Sequence, residues 1–359
     1  MSEPRPLHGA ALAERVKALA LETGFDLAGF ARADAPPNLG FFAEWVARGH
    51  AGEMGYLTGQ VEKRTDLRAL FPWARGVLCV GLQYDTPHAY SSDAPAGRAW
   101  ISRYAWGDDY HDVLRALLER LRERLQAEAG PFESRAYVDT GPIAEKAWAS
   151  AAGLGALGKN TCLLHPEQGS WFFLGELVTD LDVPADSPRP DMCGSCTACL
   201  DACPTRAFPT PYVLDATRCI SYLTIELKGG VPEPLREGLG RHVFGCDICQ
   251  DVCPWNRKRR HRGEPAFEPR PGALHPDFAD LAGLEPEAFG VRFQRSPLKR
   301  AKRRGLLRNV AVAIGNAGAA EHRALLERLA GDEDPLVAEH ARWGLARLDA
   351  RLSARAGSS

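Results

Sequence analysis

Leu12, Val16 and Leu19 recur at helical spacing between polar positions, which predicts an amphipathic opening helix over residues 10–22. Gly24 breaks that pattern, and the apolar run from Phe25 to Phe30 predicts a strand. Phe41 to Arg48 again fits a helix. Gly76 to Leu82 reads GVLCVGL, a glycine-bounded apolar run that predicts a buried strand. Val113, Leu117, Leu121 and Leu125 recur every four residues, so a long amphipathic helix is expected there, with Arg and Glu outside. Ala136 to Asp139 predicts a strand ending on an acid, Glu145 to Ala152 a helix, and Ser170 to Val178 a strand. Strands and helices alternate, so residues 1–185 are expected to form an α/β domain. Pro184, Pro188 and Pro190 then mark the passage into residues 186–265.

The pattern changes near the C-terminus. Residues 264–290 are rich in proline and glycine, and 266–300 reads as a basic linker. Within 301–352, Leu306 to Ile314 predicts a helix, Gly315 to Gly318 a break, and Leu325, Leu326 and Leu329 a second helix. Asp334-Pro335 supplies an N-cap and a first-turn proline for a third, along which Leu336, His340, Ala341, Leu345 and Leu348 share a face. Paired short helices predict a HEAT-like helical region that packs on the body, with a plain helical cap as the alternative. Residues 353–359 are expected to be a disordered tail.

Composition adds bounds. The chain has 359 residues, 45% hydrophobic and 25% charged, enough for two or three globular domains. No run approaches the ~18 apolar residues of a membrane span. Met1 to Ala10 has neither an apolar core nor a twin arginine, so no export signal is expected, and the chain is read as a cytoplasmic monomer.

The ten cysteines carry the strongest chemistry. Cys193, Cys196, Cys199 and Cys203-Pro204 follow the C-x2-C-x2-C-x3-C-P spacing of a bacterial-type 4Fe–4S ferredoxin. Cys246, Cys249 and Cys253-Pro254 form a partial copy that lacks its leading cysteine, and Cys219 is the replacement. In two-cluster ferredoxins the last cysteine of each run crosses to the other cluster. The expected sets are therefore Cys193, Cys196, Cys199 and Cys253 for one 4Fe–4S cluster, and Cys203, Cys219, Cys246 and Cys249 for the other. Zinc would favour two separated C-x2-C pairs, and disulfides suit small secreted chains. Two such clusters form an electron relay that something else in the chain should use.

Other motifs are weaker. Gly153-x-Gly155-x2-Gly158-Lys159-Asn160-Thr161 matches a dinucleotide-binding string, but a helical segment precedes it where a strand should. It also misses a P-loop, because Asn160 stands where Ser or Thr would hold magnesium. Asp139 sits at a strand end, where ligand groups collect, although capping of the next turn accounts for it equally. Arg103, Tyr104, Asp109, Tyr110 and His111 form a polar-aromatic cluster that also reads as a capped helix N-terminus. Asp109-x-His111 begins a cobalamin-type D-x-H-x-x-G signature, but Leu114 occupies the glycine position. Two basic runs stand out in a chain of net charge −2: Arg257, Lys258, Arg259, Arg260 and Arg262, then Arg292, Arg295, Lys299, Arg300, Lys302, Arg303, Arg304 and Arg308. Such runs beside a redox centre suggest a docked nucleic acid.

Taken together, the Arg103 to His111 cluster, Val138-Asp139, Gly155 to Thr161, Gly169 to Glu176, the eight cysteines and Cys219 to Glu226 resemble the epoxyqueuosine reductases over roughly residues 10–350. The resemblance implies a cobalamin-binding α/β domain, a ferredoxin-like two-cluster domain and a HEAT-like end. It implies reduction of an epoxide on a tRNA wobble nucleoside to an alkene, with electrons from an unidentified donor reaching cobalamin through the clusters. Asp139 matches the family's proton donor, and its pKa is then expected to be raised by burial. Arg103, Tyr104, Lys159, Asn160, Thr161, Ser170, Ser221 and Thr224 would touch or flank cobalamin. Lys299, Arg300, Lys302, Arg303, Arg304 and Arg308 would hold tRNA. A reductive dehalogenase-like cobalamin enzyme and a plain iron–sulfur electron carrier are the alternative readings.

Overall fold

The structure is a computed structural model, and it describes residues 9–33, 39–59, 61, 64, 66–257 and 261–356. Lys258, Arg259 and Arg260 of the first basic run lie outside the described residues.

A four-stranded sheet organises the N-terminal part: β1 (Leu27–Arg32), β2 (Gly76–Gln83), β3 (Ser134–Tyr137) and β4 (Phe172–Thr179), in the order β1-β2-β4-β3. Each neighbouring pair is antiparallel. The elements alternate as expected, and although hydrogen-bonded neighbours are antiparallel, β2 and β3 run parallel on either side of β4, joined by a helical crossover. All of β2 is buried, and its alternating side chains serve two cores. Leu78, Val80 and Leu82 pack under α1 (Gly9–Thr23) and α2 (Tyr110–Ala129). Val77 and Cys79 face the opposite side, with Trp148 of α3 (Glu145–Ala151).

Two local differences have simple causes. β1 starts at Leu27 rather than Phe25 because the helix stop at Gly24 (φ +125°) still holds Phe25, whose N–H donates to Ala20 O at 3.2 Å. α2 is capped by Asp109 and buries Leu114 and Leu118, one column over from Val113 and Leu117, which stay partly buried.

The C-terminal part is helical: α5 (Lys302–Ala317) packs against α6 (Arg323–Ala330) and α7 (Pro335–Ala356), numbered after α4 (Ile220–Ile225) of the middle region. The break expected at Gly315 does not occur. α5 runs to Ala317 and stops at Gly318, which takes the left-handed conformation at φ +65°. Gly315 serves packing instead, since a Cβ there would meet Gly344 Cα of α7 at 2.7 Å. Asp334 caps α7 as expected, accepting from Leu336 N at 2.9 Å. The expected tail is helical through Ala356, because Arg347 pairs with Glu237 and Arg351 donates to Asn316 O, tying the last turns down.

The stretch read as a linker is packed. Phe267 enters the sheet core, while Phe278, Leu281, Phe289, Phe293 and Leu298 join Ile101, Trp106, Val243, Phe244, Leu306 and Val337 in one helical core. Trp100–Ile101 also pairs in parallel with His242–Phe244. The helices are therefore continuous with the body. Among the described residues no helix is long and apolar enough to cross a membrane.

Candidate functional site

The cysteines gather in two groups. Cys199 is close enough to Cys193, Cys196 and Cys253 to feel their charge. Cys246 feels Cys219 and Cys203, and Cys249 feels Cys246 and Cys219. Cys253 thus lies near the first run, and Cys203 near the second. Backbone N–H groups point at the sulfurs: Lys159 N to Cys193 Sγ at 3.4 Å and Ala207 N to Cys203 Sγ at 3.3 Å. Burial and the neighbouring thiols push Cys199 up to about 11. Sulfurs so crowded need a cationic centre to become thiolates together, and N–H donors then stabilise the thiolates, so the donor set fits iron–sulfur clusters. Cys162, not singled out by spacing, hydrogen-bonds Cys249.

The glycine-rich loop serves these loops. Lys159 Nζ donates to Gly194 O at 2.6 Å and Cys196 O at 2.9 Å. Asn160 Nδ2 donates to Cys249 O at 3.2 Å, and Thr161 closes the turn at φ +61°. Ser170 is buried against Asn256, whose Oδ1 accepts from Ser170 N at 2.7 Å, and against Gln250. Thr224 is buried too, accepting from Gly245 N at 2.9 Å. Arg103 is 2% exposed, with its guanidinium donating to Thr86 O at 2.7 Å and His88 O at 2.9 Å and pairing with Asp85 at 3.3 Å. None of these six residues lines the cavity described next.

That cavity, of about 760 Å³, opens between three segments. Tyr104, Tyr110, His111 and Asp139 come from the sheet side; Cys219, Ser221, Tyr222 and Glu226 from the start and end of α4; Arg295, Lys299 and Arg300 from the basic segment. Cys219 is the N-cap of α4, so one residue belongs both to the second cysteine group and to the cavity wall. A pocket of this size with aromatic walls suits a large planar cofactor, and a cysteine of the second group on the wall places that group beside it.

Asp139 follows β3 at φ +57°, and its side chain is 57% exposed. Tyr110 donates its hydroxyl to Asp139 Oδ2 at 2.7 Å, and His111 Nε2 lies 3.3 Å from the same oxygen. Burial would raise the Asp139 pKa, but the hydrogen bonds and charge of His111 and Tyr110 outweigh it and hold it low. This is opposite to the rise expected from sequence. For His111, burial lowers, but Asp109 and Asp139 win and bring it up to about 9. Near neutral pH the pair is thus carboxylate and imidazolium, with the proton on His111.

The basic residues divide. Lys299 and Arg300 border the cavity, and Arg300 forms a two-point pair with Glu226, both at 3.0 Å. Lys302 is exposed at the start of α5; Arg304 pairs with Asp334 at 2.9 Å, and Arg303 donates to Leu284 O at 2.7 Å. Arg308 departs from the expectation. It is 1% exposed and donates to Leu223 O, Leu227 O and Gly229 O, so a phosphate cannot reach it. Its work is to brace α4 from behind. Sequence reasoning gave no role to Glu145 or Glu176 and read Arg295 only as one member of a basic run; the signal for Glu176 was a lone acid inside an apolar strand.

Two family models match: one described as epoxyqueuosine reductase QueG over residues 64–140, and a 4Fe-4S double cluster binding domain over 192–256. The epoxyqueuosine reductase of Pseudomonas aeruginosa is 44% identical over 97% of this chain and 96% of its own length. That of Escherichia coli is 38% identical, over 99% and 93%. A solved epoxyqueuosine reductase with an epoxyqueuosine-modified tRNA-Tyr stem loop superposes with a TM-score of 0.84 at 32% identity, covering 94% of this chain and 90% of its own. The Bacillus subtilis enzyme, solved with its catalytic aspartate loop swung out of the active site, gives 0.83 at 32% identity over the same shares. With relatives this similar over nearly its whole length, the chain belongs to the epoxyqueuosine reductase family.

Proposed function

We propose that this chain reduces epoxyqueuosine to queuosine in tRNA. The observation that carries the reading is one cavity bringing together an acid, a cluster ligand and two cations: Asp139, Cys219, Lys299 and Arg300. The reaction removes the epoxide oxygen as water, so it consumes two electrons and two protons. The two cysteine sets hold two 4Fe–4S clusters, each a one-electron carrier. Cobalamin would be held in the cavity by Tyr104, Ser221 and Tyr222 and would supply the strongly reducing power the epoxide needs.

This chain's own residues do the rest. Tyr104, Tyr222 and Ser221 bound the cofactor and exclude water. Asp139 and His111 together hold one of the two protons for the departing oxygen, and solvent supplies the other; an alkoxide is a poor leaving group near neutral pH. His111 is the proton's resting place, and Asp139, on the cavity wall, delivers it. A relative is known with its catalytic aspartate loop swung out, so the Asp139 loop is read as movable here too. Lys299, Arg300, Lys302 and Arg304 meet the tRNA backbone, and an electron donor docks near the exposed Cys196. In this reading residues 1–185 carry cobalamin, 186–265 the clusters, and 301–352 the helical support. The test is anaerobic reconstitution with iron, sulfide and cobalamin, a chemical reductant, and nucleoside analysis of treated tRNA. Queuosine should replace epoxyqueuosine; no conversion by the loaded chain overturns the proposal.

A further inference from the structure

Two more carboxyls lie behind Asp139. Its left-handed backbone, at φ +57°, disfavours a residue with a Cβ and persists only where the surroundings fix it. The Asp139 N–H donates to the carboxylate of Glu145, the first residue of α3. Glu145 in turn lies within hydrogen-bonding reach of Glu176. Glu176 stands inside β4, across from Cys79 of β2 and Tyr137 of β3, and is 0% exposed. Neither of its carboxyl oxygens receives a hydrogen bond from the described protein.

Two carboxyls within reach of each other, one of them fully buried, do not both ionise, because like charges in a low-dielectric interior raise the proton affinity of one of them. The groups facing the pair are Asp139, Tyr110, Lys146, Arg64 and Cys79. Lys146 is exposed, and Arg64 donates to Ile143 O at 3.4 Å. Asp139 adds a third acid from the cavity wall. Burial and the neighbouring carboxylates push Glu145 up to about 7 and Glu176 well above the carboxylate range.

We propose that Glu145 positions Asp139 for proton transfer, and that Glu176 supports it as a neutral acid whose O–H is donated to Glu145, leaving an acceptor oxygen for the Asp139 N–H. The inference rests on the reading of Asp139 as the proton-delivering group. Neither glutamate borders the cavity, so both act through the loop rather than on substrate. The pair fastens the loop inward, against His111 and Tyr110.

The experiment uses the full-length, cofactor-loaded chain and three variants. In Glu145→Ala, hydrogen exchange at the Asp139 amide should rise by roughly tenfold or more, the loss of one charge-assisted hydrogen bond. Its kcat should fall by about tenfold to ~10²-fold, as for a misplaced catalytic group, with KM for tRNA unchanged. Glu145→Gln, which keeps a carbonyl acceptor, should recover the exchange protection and most of kcat. Glu176→Gln, nearly isosteric, should keep both while losing the infrared C=O stretch of a protonated carboxylic acid seen in the wild type near neutral pH. Unchanged exchange in Glu145→Ala, or no acid band lost in Glu176→Gln, overturns the proposal. Should Glu145→Ala not fold, the infrared comparison decides alone. A fully active Asp139→Asn beside a loosened Glu145→Ala would instead sink the acid reading and leave the positioning pair standing.

Discussion

His111 Nε2 stands 3.3 Å from Asp139 Oδ2, and its other ring nitrogen is 2.7 Å from Asp109 Oδ1. One imidazole therefore bridges two carboxylates, one capping α2 and one on the cavity wall. The same Asp109 that makes an ordinary helix cap also keeps His111 charged.

Removing the carboxylate tests the proton path. Asp139→Asn keeps the size and loses the carboxylate that passes on the His111 proton, so single-turnover epoxide reduction should slow by about 10²–10⁴, the usual worth of general acid–base catalysis. Cofactor and tRNA should bind as before. A rate close to that of the wild type would move the proton source elsewhere.

The pH dependence follows from His111, whose folded pKa is raised from 6.5 to about 9. A raised imidazole favours the fold fully below its unfolded value and loses that contribution as pH climbs through about 9. The single-turnover rate should fall across the same alkaline range as the proton leaves the pair. NMR titration of the imidazole checks it. The Asp139→Asn variant should titrate lower, since one of its two carboxylate partners is gone. A His111 titrating near its ordinary value in the wild type would contradict the geometry.

Cys219 tests the crossed assignment. Cys219→Ala should damage the cluster of Cys203, Cys246 and Cys249 and spare the other. Iron content should drop toward half, and the spectrum of a single remaining cluster should persist. Unchanged iron content would remove Cys219 from the ligands.

Much of this was legible in the sequence, for physical reasons. Strand β2 declared itself because a strand covered on both faces is a continuous apolar run. The double-cluster domain declared itself because cluster geometry dictates short cysteine spacings. The cofactor contacts did not. Lys159, Asn160 and Ser170 are polar residues beside motifs, and sequence cannot say whether such a group meets a ligand or a backbone carbonyl. Here the carbonyls of Gly194, Cys196 and Cys249 take Lys159 and Asn160. Arg308 misled for the same reason: a basic run has no sidedness until helix α5 is packed, and then one arginine in the run points inward. The proton's location was also hidden, since it depends on Tyr110 and His111 converging on Asp139 from 28 or more residues away along the chain.

That sorting of the basic run makes a contrast that binding can measure. Lys299→Glu and Arg300→Glu should weaken tRNA binding and flatten its salt dependence, by about one unit of slope for each phosphate no longer neutralised. Arg308→Met should leave that slope alone and lower the thermal stability instead, because three carbonyls lose their donor at roughly 1–3 kcal/mol each when buried. Equal salt slopes for all three variants would show that the cations of the cavity rim do not meet the nucleic acid.

The helix crossing at Gly315 and Gly344 carries the last prediction. On an exposed helix, replacing glycine by alanine gains up to about 1 kcal/mol through backbone entropy. Here an added Cβ on Gly315 meets Gly344 Cα at 2.7 Å, and one on Gly344 meets Ala311 O at 2.8 Å. Both obstacles are backbone, which cannot step aside as a side-chain tip can. Overpacking of this kind costs about 1–3 kcal/mol, so the sign reverses and both alanine variants should melt lower. The strain also has a route to the active cavity. α5 holds α4 through Arg308 and through Asn309, whose Nδ2 donates to Thr224 O at 2.8 Å and Val243 O at 2.9 Å. α4 begins at Cys219 and lines the cavity through Ser221 and Tyr222. Gly315→Ala should therefore weaken cobalamin retention along with stability, measured by the cofactor's visible bands after gel filtration. A variant that melts lower yet keeps full cofactor would show that α4 is held by the cluster loops alone.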